Sequence, residues 1–185
     1  MGFFMEQLLS NYLLMSALVS WFVAQLIKTA IDAYFNKGIN WERMTGSGGM
    51  PSSHSSTVVA LATAAGVSYG VDSAIFAVAL IFAIVVMYDA TGVRRETGKQ
   101  AVILNRLLLD NPFSWTGKEF EKKLKEYVGH SPLQVLMGAI LGLLIALLRG
   151  YLYEFIFIYR GEKESRLSLI SLFRIASFRL VSQLL

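Results

Sequence analysis

The sequence predicts an all-α integral membrane bundle, with about four principal transmembrane helices and short amphipathic helices at the surface. Three observations predict it. Of 185 residues, 55% are hydrophobic and only 16% are charged, against about 25% charged in a soluble domain. Mean hydropathy is +0.52. Four apolar stretches approach the ~20 residues that cross a bilayer core. So little polar surface cannot cover a soluble globule, and so much apolar surface does not belong to a disordered chain. The lack of cysteine excludes a disulfide-stapled domain and a zinc–thiolate centre.

The first span is read at 8–27, free of charge after Glu6 and closed by Lys28. Glu6 and the missing basic n-region argue against a cleavable signal. The second span is 55–71, rich in Ala and Val; the third is 73–88, after a short turn around Gly70 and Asp72. The fourth is 133–148. Gly138 with Gly142, and Ala62 with Gly66, are small-xxx-small pairs, which let helices approach closely in lipid. Segment 90–131 is too long for a bare loop. It predicts two surface helices, one over 99–110 and one opened by Thr116 and Glu119 as a capping box. Residues 1–150 read as one membrane-embedded domain. Residues 151–185 read as an extension, either an interfacial helix or poorly ordered.

Four spans place the loops 35–54 and 90–131 on one side, with Lys37, Arg43, Arg94, Arg95, Lys99 and Arg106 among their basic residues. Loop bias of this kind predicts a cytoplasmic face, in a bacterial cell membrane. Arg149, Arg160 and the basic residues beyond them fall on the opposite side and oppose that assignment.

Only two histidines exist. His54 lies in Gly-Gly-Met-Pro-Ser-Ser-His and His130 in Gly-His-Ser-Pro, each just before a predicted helix start. Ser131 is a candidate N-cap and Pro132 a candidate first helical residue. Helix N-termini present unpaired N–H groups and attract anions. Two histidines, two helix starts, a Gly/Ser loop and a cationic ring form the set that metal-independent phosphoryl transfer requires. One imidazole can attack phosphorus while the other protonates the leaving oxygen. The same residues also suit a phosphate-binding site without catalysis.

The run Gly48–Ser55 (GGMPSSHS), with Met87-Tyr88-Asp89-Ala90, Gly92-Val93-Arg94-Arg95, Gly98-Lys99-Gln100 and Leu104-Asn105, resembles the type-2 phosphatidic acid phosphatase and vanadium haloperoxidase superfamily. It is similar to that superfamily's divergent bacterial and plant branch, over roughly residues 8–150. The resemblance implies His130 as the nucleophile that becomes phosphorylated and His54 as the general acid. It implies Ser52 and the backbone at Ser53 as phosphate holders, and Lys28 and Arg43 as a basic pair. Three positions depart from the superfamily pattern: Gln134 stands where an Asp is expected, Leu124 where an Arg is expected, and Met44 where a Pro is usual. Arg94 and Arg95 are candidates for the missing cationic contacts, or are topology signals. Asp89 is a candidate for the missing carboxylate, or is a cap or ion-pair partner.

The expected function is a membrane lipid-phosphate or pyrophosphate phosphatase with no metal and no cofactor. The alternative is a non-catalytic binder of phosphate headgroups with a structural, sensory or transport role. Haloperoxidase chemistry is a distant third. The expected partners are a phosphate-bearing lipid and the membrane itself; a homo-oligomer is compatible with the pattern but not indicated by it. No Walker-type run, dinucleotide glycine pattern or nucleic-acid surface is present in the sequence.

Overall fold

The computed structural model describes residues 2–38, 49–109 and 129–159. They form six helices: α1 (Gly2–Ser10), α2 (Tyr12–Asn36), α3 (Ser53–Tyr69), α4 (Ala74–Thr91), α5 (Val93–Leu109) and α6 (Pro132–Tyr159). The bundle is all-α, as the composition predicts. Three helices among the described residues are long and apolar enough to cross a membrane: α2, the stretch from Ala74 that includes α4, and α6. The predicted second span corresponds to α3, which has 17 residues. It packs against α2, α4 and α6. A helix so enclosed meets little lipid, so it has no need of a long apolar exterior.

The boundaries differ from the sequence reading for local reasons. The chain breaks at Asn11, whose side chain accepts the Leu14 N–H and caps α2. Lys28 does not close the first span, because α2 continues to Asn36 and stops where Lys37 turns left-handed. Lys28 is therefore an interior helical residue, 3% exposed. Ser73 caps α4 through the Phe76 N–H. After Gly92 the chain resumes at once as α5, so Arg94 and Arg95 lie on a helix and the surface helix begins six residues earlier than residue 99. The second predicted surface helix, opened by Thr116 and Glu119, lies outside the described residues, as do Arg43 and the chain beyond 159.

The polarity is inverted relative to a soluble protein. The largest fully buried side chains are serines: Ser16, Ser20, Ser52, Ser55 and Ser56. Large apolar side chains such as Val78, Ile81, Val85, Leu136 and Leu144 face outward. In lipid, helices gain little from the hydrophobic effect and associate through close packing. α3 meets α6 along Gly138 and Gly142, where a Cβ would overlap the Ser52 and Ser56 carbonyls. The other small pair also packs within the chain: Gly66 lies against the Phe76 ring, and Ala62 joins Val58, Ala65, Ala79 and Ala83 in the α3–α4 core. Ser20 and Ser56 hydroxyls, 2.6 Å apart, tie α2 to α3. The Tyr12 hydroxyl donates to the Ala146 carbonyl at 2.6 Å and ties α2 to α6. The Arg149 guanidinium stands 5.9 Å from the centroid of the Tyr12 ring. This arginine therefore belongs to the bundle rather than to the tail that follows it.

Candidate functional site

Three helix ends converge. The Ser52 N–H, at the start of α3, donates to the Gln134 carbonyl in the first turn of α6 at 3.0 Å. The His130 N–H donates to the Ala90 carbonyl, at the end of α4, at 2.9 Å. Gly129 has a positive φ of 94°, and a Cβ there would overlap the backbone of Arg94 and Arg95. Only a residue without a side chain lets the backbone at 129 lie so close to α5.

Ser52 is the N-cap of α3. Its hydroxyl accepts the Ser55 N–H at 3.3 Å and the Ser55 hydroxyl at 2.9 Å, and its carbonyl accepts the Ser56 N–H. That leaves the N–H groups of Ser53 and His54 to be met from outside the helix. His54 is the second residue of α3 rather than a residue before it. Ser53 is buried at 4% exposure, and its carbonyl accepts the Thr57 hydroxyl.

His130 is 5% exposed. Its Nδ1 lies 3.2 Å from Gln134 Oε1, which also accepts the Ser131 N–H at 3.0 Å. The Ser131 hydroxyl accepts the Gln134 N–H at 3.3 Å. Burial lowers the His130 pKa; Gln134 opposes this, and His54 and Lys28 add to it, with the Gly49 backbone also favouring the protonated ring. Burial likewise lowers the His54 pKa, and the charges of Arg94 and Lys28 push it further down. Both imidazoles therefore favour the neutral state more than free histidine does. The Lys28 stem packs on Gly49, where a Cβ would come within 2.9 Å of its Cδ. Gly49, from the Gly/Ser run, thus makes its close approach to this lysine.

The structure brings His54, His130, Lys28, Gln134 and Ser52 to one end of the bundle, with Arg94 near enough for its charge to act on His54. Asp89 forms an ion pair with Arg94 and lies on the exposed side. Arg95 is exposed, and its backbone rather than its side chain is what Gly129 meets. Among the described residues, no three His, Cys, Asp or Glu side chains are grouped as metal ligands.

The model of the Divergent PAP2 family matches residues 9–145. The chain belongs to that family. This divergent PAP2 protein is also 42% identical over 156 residues to the uncharacterized membrane protein YuiD of Bacillus subtilis (strain 168), covering 80% of this chain and 99% of that one. No solved structure matches it. The family range contains both histidines and every candidate residue named above. Two parts of this candidate site go beyond the sequence reading. One is the Ala90 carbonyl, for which a methyl side chain carries no signal. The other is the link from Ser131 to Gln134, for which the signal was present. Ser followed three residues later by Gln is a capping box, and it explains Gln134 without reference to any expected Asp.

Proposed function

We propose that this divergent PAP2 protein hydrolyses a phosphate monoester or diphosphate whose apolar tail stays in the bilayer. The observation that carries the reading is His130, oriented by Gln134 and set beside His54 and Lys28 where two helix N-termini meet. The Lys28 ammonium and the free N–H groups of the α3 terminus would hold the phosphoryl oxygens. A ring nitrogen of His130 would form the N–P bond as the P–O bond to the leaving alcohol (or, from a diphosphate, the leaving alkyl phosphate) breaks, and His54 would give its proton to the leaving oxygen. Water would then attack the phosphohistidine and pass its proton to His54, releasing phosphate and neutral His130.

The test is phosphate release by the full chain in detergent, from long-chain phosphate monoesters and diphosphates. Release from a tailed substrate in preference to its short-chain analogue supports the reading. Binding of the same lipids with no release favours the headgroup binder. One observation supports that second reading: an amide at Gln134 cannot stabilise an imidazolium as a carboxylate does.

The pH dependence follows from the two lowered imidazoles. His130 acts neutral, so kcat/KM falls as pH drops through its pKa. His54 acts protonated, so kcat/KM falls as pH rises through its own. Both lie below the ordinary 6.5, so the bell is expected to peak below pH 6.5, with limbs that belong to the coupled pair. A peak above pH 7 in the profile would count against this assignment.

Lys28→Met keeps the stem that packs on Gly49 and removes the charge. A charged hydrogen bond contributes about 1.5–3 kcal/mol. Affinity for phosphate, measured by titration calorimetry, is therefore expected to drop roughly 10-fold or more. Unchanged affinity would remove Lys28 from the site.

A further inference from the structure

We infer that Gln134 is a positioning residue that holds the His130 ring with its proton on Nδ1 and its lone pair on Nε2. The argument begins with the Ser131 backbone N–H, which can only donate. It lies 3.0 Å from the Gln134 side-chain atom Oε1, so that atom is the carbonyl oxygen and the amide cannot be flipped. The return bond, from the Gln134 N–H to the Ser131 hydroxyl, closes the capping box and holds the side chain over the first turn of α6. The same oxygen lies 3.2 Å from His130 Nδ1. An amide oxygen has no hydrogen to give, so the ring nitrogen must supply it.

The Gly49 backbone also favours a protonated ring and is the competing acceptor. A ring protonated on Nε2 instead would set its Nδ1 lone pair against the Gln134 oxygen. The backbone beneath the ring is fixed by the bond from His130 N–H to the Ala90 carbonyl. A carboxylate at position 134 could orient the ring equally well, but it would also attract a second proton. The amide selects the tautomer and adds no charge. What this does for phosphoryl transfer rests on the proposed function, since Nε2 then carries the lone pair that would attack phosphorus.

The test is nuclear magnetic resonance of the full chain in detergent micelles, with 15N-labelled histidine at pH 7.5. Two histidines give two ring systems, and His54→Ala leaves only that of His130. The expected spectrum has a protonated Nδ1 and an unprotonated Nε2. A protonated Nε2 in the parent overturns the inference. Gln134→Leu is expected to lose the Nδ1–H form, which free histidine favours less, and its persistence there also overturns the inference. Gln134→Glu is expected to keep that form and to raise the ring's titration midpoint by about one pH unit or more; an unmoved midpoint overturns it as well. Phosphate release does not enter these readings, so a failed phosphatase reading and a failed tautomer assignment remain distinguishable.

Discussion

His130→Ala is expected to lower phosphate release by ~10⁴-fold or more, the scale seen when a covalent nucleophile is removed. The ring is nearly enclosed, and the bonds of Ser52 and the first turn of α3 run to Gln134, Ser55 and Ser56 rather than to it. Headgroup binding should therefore survive while turnover is lost. Parent protein quenched in alkaline detergent should carry an alkali-stable phosphoryl group that acid releases and that the variant lacks. His54→Ala separates the second role. A general acid contributes ~10²–10⁴-fold, and that contribution shrinks when the leaving group needs no proton. His54→Ala should lose far more activity on an alkyl phosphate than on p-nitrophenyl phosphate. Equal losses on both substrates would end the general-acid assignment, and a His130→Ala variant with parental activity would end the whole scheme.

The second large effect is structural. Replacing a helical glycine with alanine normally stabilises a helix by up to about 1 kcal/mol. At Gly138 and Gly142 the sign should reverse, because the added Cβ meets backbone rather than a flexible side chain. Overpacking of this kind typically costs 1–3 kcal/mol and sometimes more, so Gly142→Val is expected to destabilise by about 3 kcal/mol. Thermal unfolding in detergent, followed by tryptophan fluorescence, reads this directly, and a parental melting curve would show that α3 and α6 are not packed this closely. Gly138 should do more than Gly142. The carbonyl it abuts belongs to Ser52, the N-cap of α3, whose N–H is held by the Gln134 carbonyl. Gly138→Ala should therefore weaken phosphate binding as well as the fold, whereas Gly142→Ala, one turn further along α6, should weaken the fold alone.

Much of the molecule was legible in the residues themselves. Low charge and high hydropathy determine a membrane bundle, because only helices satisfy the backbone in lipid without outside partners. The small pairs at Gly138 and Gly142 and at Ala62 and Gly66 mark where helices touch, since backbones approach only where side chains are missing. The Pro-Ser-Ser-His run and the Gly-His-Ser-Pro run point to helix starts, and both histidines do sit at such starts. Lys28 was misread as the end of a span because a lysine in an apolar stretch usually marks the interface. Its buried stem packs on Gly49, which lies beyond any local window around Lys28. Gln134 was read as a defect against an expected carboxylate, although its spacing from Ser131 already gave it a bond.

Which residues meet was decided by tertiary structure alone. His54 and His130 are 76 positions apart in the chain, and nothing in either motif says that the start of α3 lies beside the start of α6. That juxtaposition follows from two glycines admitting the α3 backbone, and from the Ala90 and Gln134 carbonyls accepting the His130 and Ser52 N–H groups. Sequence therefore determined the solvent, the helices and the chemical inventory of this protein. Packing decided the site, because bonds between backbones carry no side-chain signature.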